Sequence, residues 1–501
     1  MKNLDELGVG LIYFQGFEDF LALHSSLIDV VEIEPQTFWF DKNDECNAFK
    51  YNPEVTDFLR TYDRPKLFHG VGYPVGGSFL PPDAHFNTLR QQAAELNPEW
   101  VSEHLSFNFF KDEGRDINSG FLLPPVQTAE SIKTVVANIS NYRAQMDRPF
   151  AFETGVNYFQ PRKNEMPDGL FVNRVAEEAD CHILLDLHNL LVNQRNGRQT
   201  VKEFLSYLDY ERVIELHVAN GIYYKDYYLD AHSGASDDEL LGILEDVVGK
   251  LPNLKALMFE ITPDYFMKVP EAEIRGQLIK MRRIWDKKGN QFKIHIPDRC
   301  ERKTFDESIS VREWEHTVGS IILGRKPESI LADELLQDKG VAIVKDLVFH
   351  FRASLLVSMF KLTTRLLRLS VGEEVFNIYV EDFFSSVFPE LLPIILAEQF
   401  SVYVTSNRFK VPYLLQIMEY ELATIHTAID KQTRHIKFNF DPLPVMAPWK
   451  RRSYPVSRSK KNALNYKSYI SRGLYLQSYR SLCRWCIINV SFVFAQACEL
   501  P

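Results

Sequence analysis

Between residues 8 and 263 the chain alternates eight short apolar runs with polar or amphipathic stretches. The runs are VGLIYF, VVEIEP, KLFHGVG, WVSEHLSF, FAFETGV, HILLDLHNL, VIELHVANG and ALMFEITP. Between them lie stretches with helical periodicity, such as DAHFNTLRQQAAELN, TAESIKTVVANISNYRAQM, VKEFLSYL and DDELLGILEDVVGKL. Strands that are apolar on both faces and alternate with helices form a parallel sheet covered by those helices. Eight such units close on themselves, so the expected class is α/β, a (β/α)8 TIM barrel.

A barrel brings the C-terminal ends of its strands to one mouth, where catalytic groups gather. Here those ends carry Glu34, His69, Glu103 with His104, Glu153, Asp186 with His188 and Asn189, His217 and Glu260. Acids and imidazoles packed so closely lose hydration and repel one another, at several kcal/mol for each unpaired ion. Few lysines or arginines lie near these ends, so the counter-charge expected is more than one divalent or trivalent metal ion. Histidine with carboxylate and amide oxygen, without thiolate, suits iron, manganese or zinc. On an extended strand Asp186 and His188 point to the same side. Asn189 reaches inward only if the strand has already ended, so the choice between His188 and Asn189 stays open. After the His217 strand, Asp230 and His232 follow closely in IELHVANGIYYKDYYLDAHSG, as a metal site or a proton relay would require.

Composition removes other classes. The net charge of −10 would repel phosphate, which argues against a nucleic-acid binder. No apolar run is long enough to span a bilayer. The start, MKNLDELGVGLIYF, has no basic and apolar leader, and Cys46, Cys181, Cys300, Cys483, Cys486 and Cys498 are scattered; both point to a cytoplasmic protein. The pair Cys483 and Cys486 lacks the second pair that a zinc or redox motif needs.

After about residue 290 the alternation stops. The expected organisation is a barrel over 1–290, a charged linker over 291–330, a mainly helical domain over 331–445 and a basic tail over 446–501.

The stretches GVGL at 8–11, FHGVGYPVG at 68–76, NPEWVSEHLSF at 97–107, LLPPVQTAESI at 122–132, FETGVNYF at 152–159, LLDLHNLLVNQRNG at 184–197, ELHVANG at 215–221, LDAHSG at 229–234 and FEITPD at 259–264 resemble the DUF692 family. Its members are multinuclear non-heme iron-dependent oxidative enzymes (MNIO) that modify ribosomally made peptides. The resemblance implies a TIM barrel holding about two or three irons, Fe(II) and Fe(III), with O2 as cosubstrate. Carried over position by position, the implied ligands are His69, His104, Glu153, Asp186, Asn189, His217, Asp230, His232 and Glu260. The family places asparagine or histidine at the Asn189 position, which ranks it above His188. His188, Glu34, Glu103 and Asn220 are supporting or substrate-side candidates.

Two departures touch the substrate's surroundings: Glu153-Thr154 stands where Glu-Asn is common, and Asn220-Gly221 where Gly-His is common. The implied substrate is a precursor peptide, most often modified at cysteine, in some members at a C-terminal aspartate. Such enzymes act with a peptide-presenting partner, and PYLLQIMEYELATIHTAI at 412–429 resembles the helical part of one, which suggests a fused partner. The rival is a metal-dependent hydrolase or isomerase of the xylose isomerase or endonuclease IV type. A nuclease needs a basic mouth, and such isomerases keep a lysine near the metals; neither is visible here. A peptide-binding protein with structural metals is a third class, but closed structural sites favour cysteine.

Overall fold

The computed structural model describes residues 4–43, 45–112, 114–289, 295–298, 304–389, 392–430 and 432–442. The basic tail, the Cys483–Cys486 stretch, Cys300 and Cys498 lie outside them, as do parts of the 291–330 segment. Two compact units are described, the first running to Phe351 and the second from Arg352.

In the first unit the eight apolar runs all become strands of one closed barrel: β1 Gly8–Tyr13, β2 Val30–Ile33, β3 Lys66–Gly70, β4 Val101–His104, β5 Phe150–Glu153, β6 His182–Asp186, β7 Val213–Val218 and β8 Ala256–Phe259. Every strand pairs in parallel with its sequence neighbours, and β1 closes on β8. Side chains alternate between the lumen and the helix layer. Low in the lumen, Val30, Leu67, Trp100, Ala151, Leu184, Ala256 and Met258 pack into an apolar plug. Burying such side chains contributes about 1.5–3 kcal/mol each. The polar residues therefore stand above a dry floor.

Helices Asp83–Leu96, Ala129–Gln145, Asp168–Ala179, Val201–Tyr207, Asp238–Val248 and Glu271–Trp285 belong to the outer layer. Their starts are written locally: Thr128 accepts from Ser131 N, and Thr200 with Glu203 forms a capping box. Three antiparallel hairpins, Trp39–Tyr51, Phe107–Leu123 and Ile222–Leu229, interrupt the alternation.

The compact barrel unit does not stop near residue 290. Helices Val311–Ile322, Ile330–Leu335 and the first part of Lys339–Met359 send Val311, Trp314, Val318, Ile321, Leu331, Leu335, Val344 and Leu347 into one core with Phe107, Phe121, Leu123, Tyr158 and Phe159. Trp314 Nε1 also donates to Pro124 O at 2.8 Å. The second unit contains helices Lys361–Val371, Glu373–Ser386, Pro393–Asn407 and Leu414–Asp430, so the helical reading of this region holds. In it the Glu421 carboxylate accepts from Leu362 N, Thr363 N and Thr363 Oγ1, capping the first of these helices. Among the described residues no helix is long and apolar enough to cross a membrane.

Candidate metal centre

At the mouth, β3, β4 and β5 bring His69, His104 and Glu153 together. His69 Nε2 and His104 Nε2 lie 3.3 Å apart, and Glu153 Oε2 lies 3.4 Å from the first and 2.7 Å from the second. Each imidazole is held by its far nitrogen: His69 Nδ1 meets Ser102 Oγ at 2.8 Å and His104 Nδ1 donates to Gly70 O at 2.9 Å. Both Nε2 atoms are thereby turned to the same volume, the arrangement expected of metal-ligating histidines.

Glu153 also belongs to a second group, with Asp186, His217 and Glu260. His217 Nδ1 lies 3.6 Å from Glu153 Oε1 and 3.3 Å from Glu260 Oε1. A third set is supplied by the loop after β7. His232 Nε2 lies 2.9 Å from Asp230 Oδ1 and 3.3 Å from Glu260 Oε2. His232 holds left-handed backbone, φ 46°. For a residue with a Cβ that conformation costs about 1–2 kcal/mol. Asp230 is fixed through its own N–H, which donates to Tyr158 Oη at 3.0 Å. Eight of the nine residues that the family resemblance implies as ligands, all but Asn189, thus fall into one connected set.

Strand β6 ends at Asp186 and helix Leu187–Arg195 begins at once, with Asp186 as its N-cap. That turn separates the two rival residues. Asn189 lines the mouth cavity, its Nδ2 donating to Thr154 O at 3.2 Å while its Oδ1 is buried without a partner. His188 is buried too, its Nε2 likewise without a hydrogen-bond partner and 3.5 Å from Asp230 Oδ1. The expected supporting residues part company. Glu34 is buried beside the cluster, where burial and the Glu260 charge push its carboxyl up to about 8. Glu103 alternates with His104 and faces the helix layer, where Tyr142 Oη donates to it; the structure does not bring it to the cluster. Asn220 clasps the loop instead of lining the cavity, bonding Ala235 O, Gly221 N and Tyr228 Oη.

The electrostatics are those of a site short of positive charge. Burial opposes ionisation of Glu153, yet the neighbouring His104 and His69 outweigh it and hold the carboxyl well below its usual range. Asp186 is pushed well above its usual value by burial and by the Glu153 and Glu260 charges. Burial works against a charge on His104, and Glu153 overcomes it to lift the imidazole to about 9.

These residues fit metal ions on two counts. Glu153 Oε2, Asp186 Oδ2, Asn189 Oδ1, His217 Nδ1, Asp230 Oδ1 and His232 Nε2 are all buried without hydrogen-bond partners, a cost that buried polar atoms rarely carry unless something else satisfies them. Atoms bonded to one ion at about 2.1 Å stand about 3.0 Å apart at right angles and about 3.4 Å at tetrahedral angles. Most of the separations above lie near that range. The polar groups open into a pocket that Phe121, Leu122, Val156 and Tyr158 also line, with no lysine or arginine in its lining.

Two further acids lie one layer deeper than the strand ends. Glu32 and Glu215 are fully buried and, with His217, form a further cluster of possible ligand atoms. Each sits two residues before a polar residue already singled out, Glu34 and His217, so the period of two along a strand was the signal that could have found them.

The chain has similar proteins among both known sequences and solved structures. A protein from Chromobacterium violaceum, described as a UPF0276 protein, is 29% identical over 254 residues, covering 50% of this chain and 90% of its own. A UPF0276 protein from Shewanella loihica is 32% identical over 287 residues, 56% of this chain and 97% of its own. Solved structures that align with it include the 3-keto-D-glucoside 4-epimerase YcjR from E. coli, at 14% identity over 55% of this chain and 98% of that one, with a TM-score of 0.33. The family model for the RiPP precursor modification enzymes MbnB/TglH/ChrH matches residues 7–270, and the chain belongs to that family.

Proposed function

We propose that the barrel is a multinuclear iron enzyme that uses O2 to modify one residue, cysteine first among the candidates, of a ribosomally synthesised precursor peptide. The observation that carries this reading is the set of buried, unpartnered carboxylate, imidazole and amide atoms around Glu153, free of thiolate and open to a cavity. His69, His104 and Glu153 would hold one ion; Glu153, Asp186, His217 and Glu260 a second; Asn189, Asp230, His232 and Glu260 the set for a third. Iron bound there supplies redox chemistry with O2 and Lewis acidity toward a substrate thiolate or carboxylate.

The protein's own part is binding and placement. Phe121, Leu122, Val156 and Tyr158 give the cavity an apolar wall against which a peptide segment excludes water. Ser102, Gly70 and Thr154 fix the orientation of the groups below it. With no lysine or arginine in the lining, a substrate carboxylate or thiolate would find its main counter-charge at the metals. We assign the helical unit after Arg352 the part of a fused peptide-presenting partner, on the resemblance of residues 412–429.

The test is metal analysis of protein purified without oxygen, with Mössbauer spectroscopy on iron-enriched material. Two or more coupled irons per chain, and an O2-dependent mass change in a cysteine-containing precursor peptide, are expected. Stoichiometric zinc or manganese with no oxygen consumed after iron loading would overturn the oxidase in favour of a hydrolase or isomerase.

A further inference from the structure

We infer that Glu32 is a positioning residue for His217, fixing Nδ1 as the nitrogen that His217 offers to the metal centre. The inference rests on the metal reading above. Strands β2 and β7 share no hydrogen bond, yet Glu32 reaches across the lumen to place Oε2 3.0 Å from His217 Nε2. The other ring nitrogen, Nδ1, faces Glu153 and Glu260 in the centre.

A neutral imidazole carries one N–H. If Nδ1 gives its lone pair to an ion, Nε2 keeps the proton and needs an acceptor, since an unpaired buried donor costs about 1–3 kcal/mol. Two buried acids are within reach. Glu215 Oε1 is the farther, at 3.6 Å, and its Oε2 is already taken by Trp100 Nε1 at 2.7 Å. Glu32 Oε1 and Oε2 and His217 Nε2 are all buried with no formed hydrogen bond, so the 3.0 Å approach is an ion-pair contact and Glu32 is the acid left free to accept the Nε2–H. Its carboxylate is thus the acceptor that sets ring orientation and tautomer, and raises the basicity of Nδ1. A second ion between Glu32, Glu215 and Nε2 would compete for the same nitrogen and require both ring protons to be lost.

The test uses the full-length protein loaded anaerobically with 57Fe. Glu32→Leu removes the acceptor, and Glu32→Gln keeps the shape and an acceptor oxygen while removing the charge. Iron affinity in Glu32→Leu should fall about 10–100-fold, with a changed Mössbauer quadrupole splitting for one iron. Glu32→Gln should restore most of the affinity with a smaller spectral change. Should Glu32→Leu fail to fold, Glu32→Gln and the structure of the iron-loaded wild type decide. Unaltered spectra and affinity in both variants would overturn the inference, as would His217 bonded through Nε2 or an ion found between Glu32 and Glu215. If the wild type itself binds no metal, the metal reading falls as well; iron bound normally by both variants removes this inference alone.

Discussion

The Asn189 backbone N–H donates to Asp186 Oδ1 at 2.8 Å, so a carboxylate at the end of β6 caps the helix on which the next candidate ligand stands. One of the Asp186 oxygens therefore serves the helix, while the other is buried in the candidate metal centre without a hydrogen-bond partner.

Asparagine caps helices as well as aspartate, whereas alanine loses about 1 kcal/mol. Asp186→Asn should therefore leave the metal-free protein at least as stable as wild type, because a neutral amide escapes the burial and the Glu153 and Glu260 charges that disfavour a carboxylate there. It should still lower metal content. Asp186→Ala should lose the cap as well. Thermal melts with and without metal separate the two effects; equal metal content in all three proteins would refute the ligand role.

Metal removal should itself destabilise the fold. The cluster gathers Glu153, Asp186, Glu260 and Asp230 within one buried set. A ligand at 100 times its dissociation constant adds about 2.7 kcal/mol to stability. Chelation should lower the melting temperature by several degrees, and Fe(II) added without oxygen should restore it. A melt indifferent to chelator in protein known to hold metal would count against a native centre.

Much of this site was readable because a parallel barrel converts sequence position into spatial position. The last polar residue of each apolar run lands at the mouth, which is how His69, His104, Glu153, Asp186, His217 and Glu260 became candidates before any coordinates. Asp230 and His232 were harder: they come from a loop, and the family pattern placed them where strand reasoning left them open. Glu103 was misplaced because adjacent residues on a strand face opposite ways, so only one of Glu103 and His104 can enter the lumen. Glu32 is not legible at the strand ends because it lies one pleat below Glu34, inside the apolar run. The hairpins were invisible to periodicity, and the helices after residue 330 were legible as helices while the packing of the first of them on the barrel unit was not, since their apolar residues meet one another and loops instead of the barrel wall.

Gly340 makes close packing testable at a distance from the ligands. A Cβ on it would sit 1.9 Å from Tyr158 O. Tyr158 in turn accepts the Asp230 N–H and lines the cavity. Gly340→Ala should cost about 1–3 kcal/mol and weaken metal binding through Asp230, although residue 340 touches no ligand. Unchanged stability and metal content would show that the Tyr158 segment shifts without consequence.

His85 predicts a pH dependence of stability away from the centre. It is fully buried against Tyr142, and burial alone pushes its imidazole down to about 3. The unfolded chain takes up a proton near pH 6.5 that the folded chain refuses until about pH 3. Its contribution is therefore complete above pH 6.5 and declines as the pH falls toward 3. Between pH 7 and 5.5 the loss is about 1 kcal/mol. Urea unfolding of wild type and His85→Gln across this range should show a flatter profile for the variant; parallel profiles would mean that His85 is protonated in the fold.

Truncation tests where the barrel unit ends. The sequence pattern changes near residue 290, but a pattern change marks the end of β/α alternation and not the end of a core. Trp314, Val318, Ile321, Leu331, Leu335, Val344 and Leu347 are buried against Phe107, Phe121, Leu123, Tyr158 and Phe159. At about 1.5–3 kcal/mol for each large buried side chain, their removal outweighs the 5–15 kcal/mol by which a typical domain is stable. A chain of residues 1–290 should therefore be insoluble or lack a cooperative melt, and 1–330 should be little better, since it still omits Leu331, Leu335, Val344 and Leu347. A chain of residues 1–359, which keeps helix Lys339–Met359 whole, should fold and bind metal. If 1–290 melts cooperatively and holds full metal content, the later helices are dispensable to the site. If 1–359 folds, binds iron and modifies free peptide as well as the full chain does, the second unit is not needed to present the substrate, and the fused-partner assignment fails while the metal centre stands.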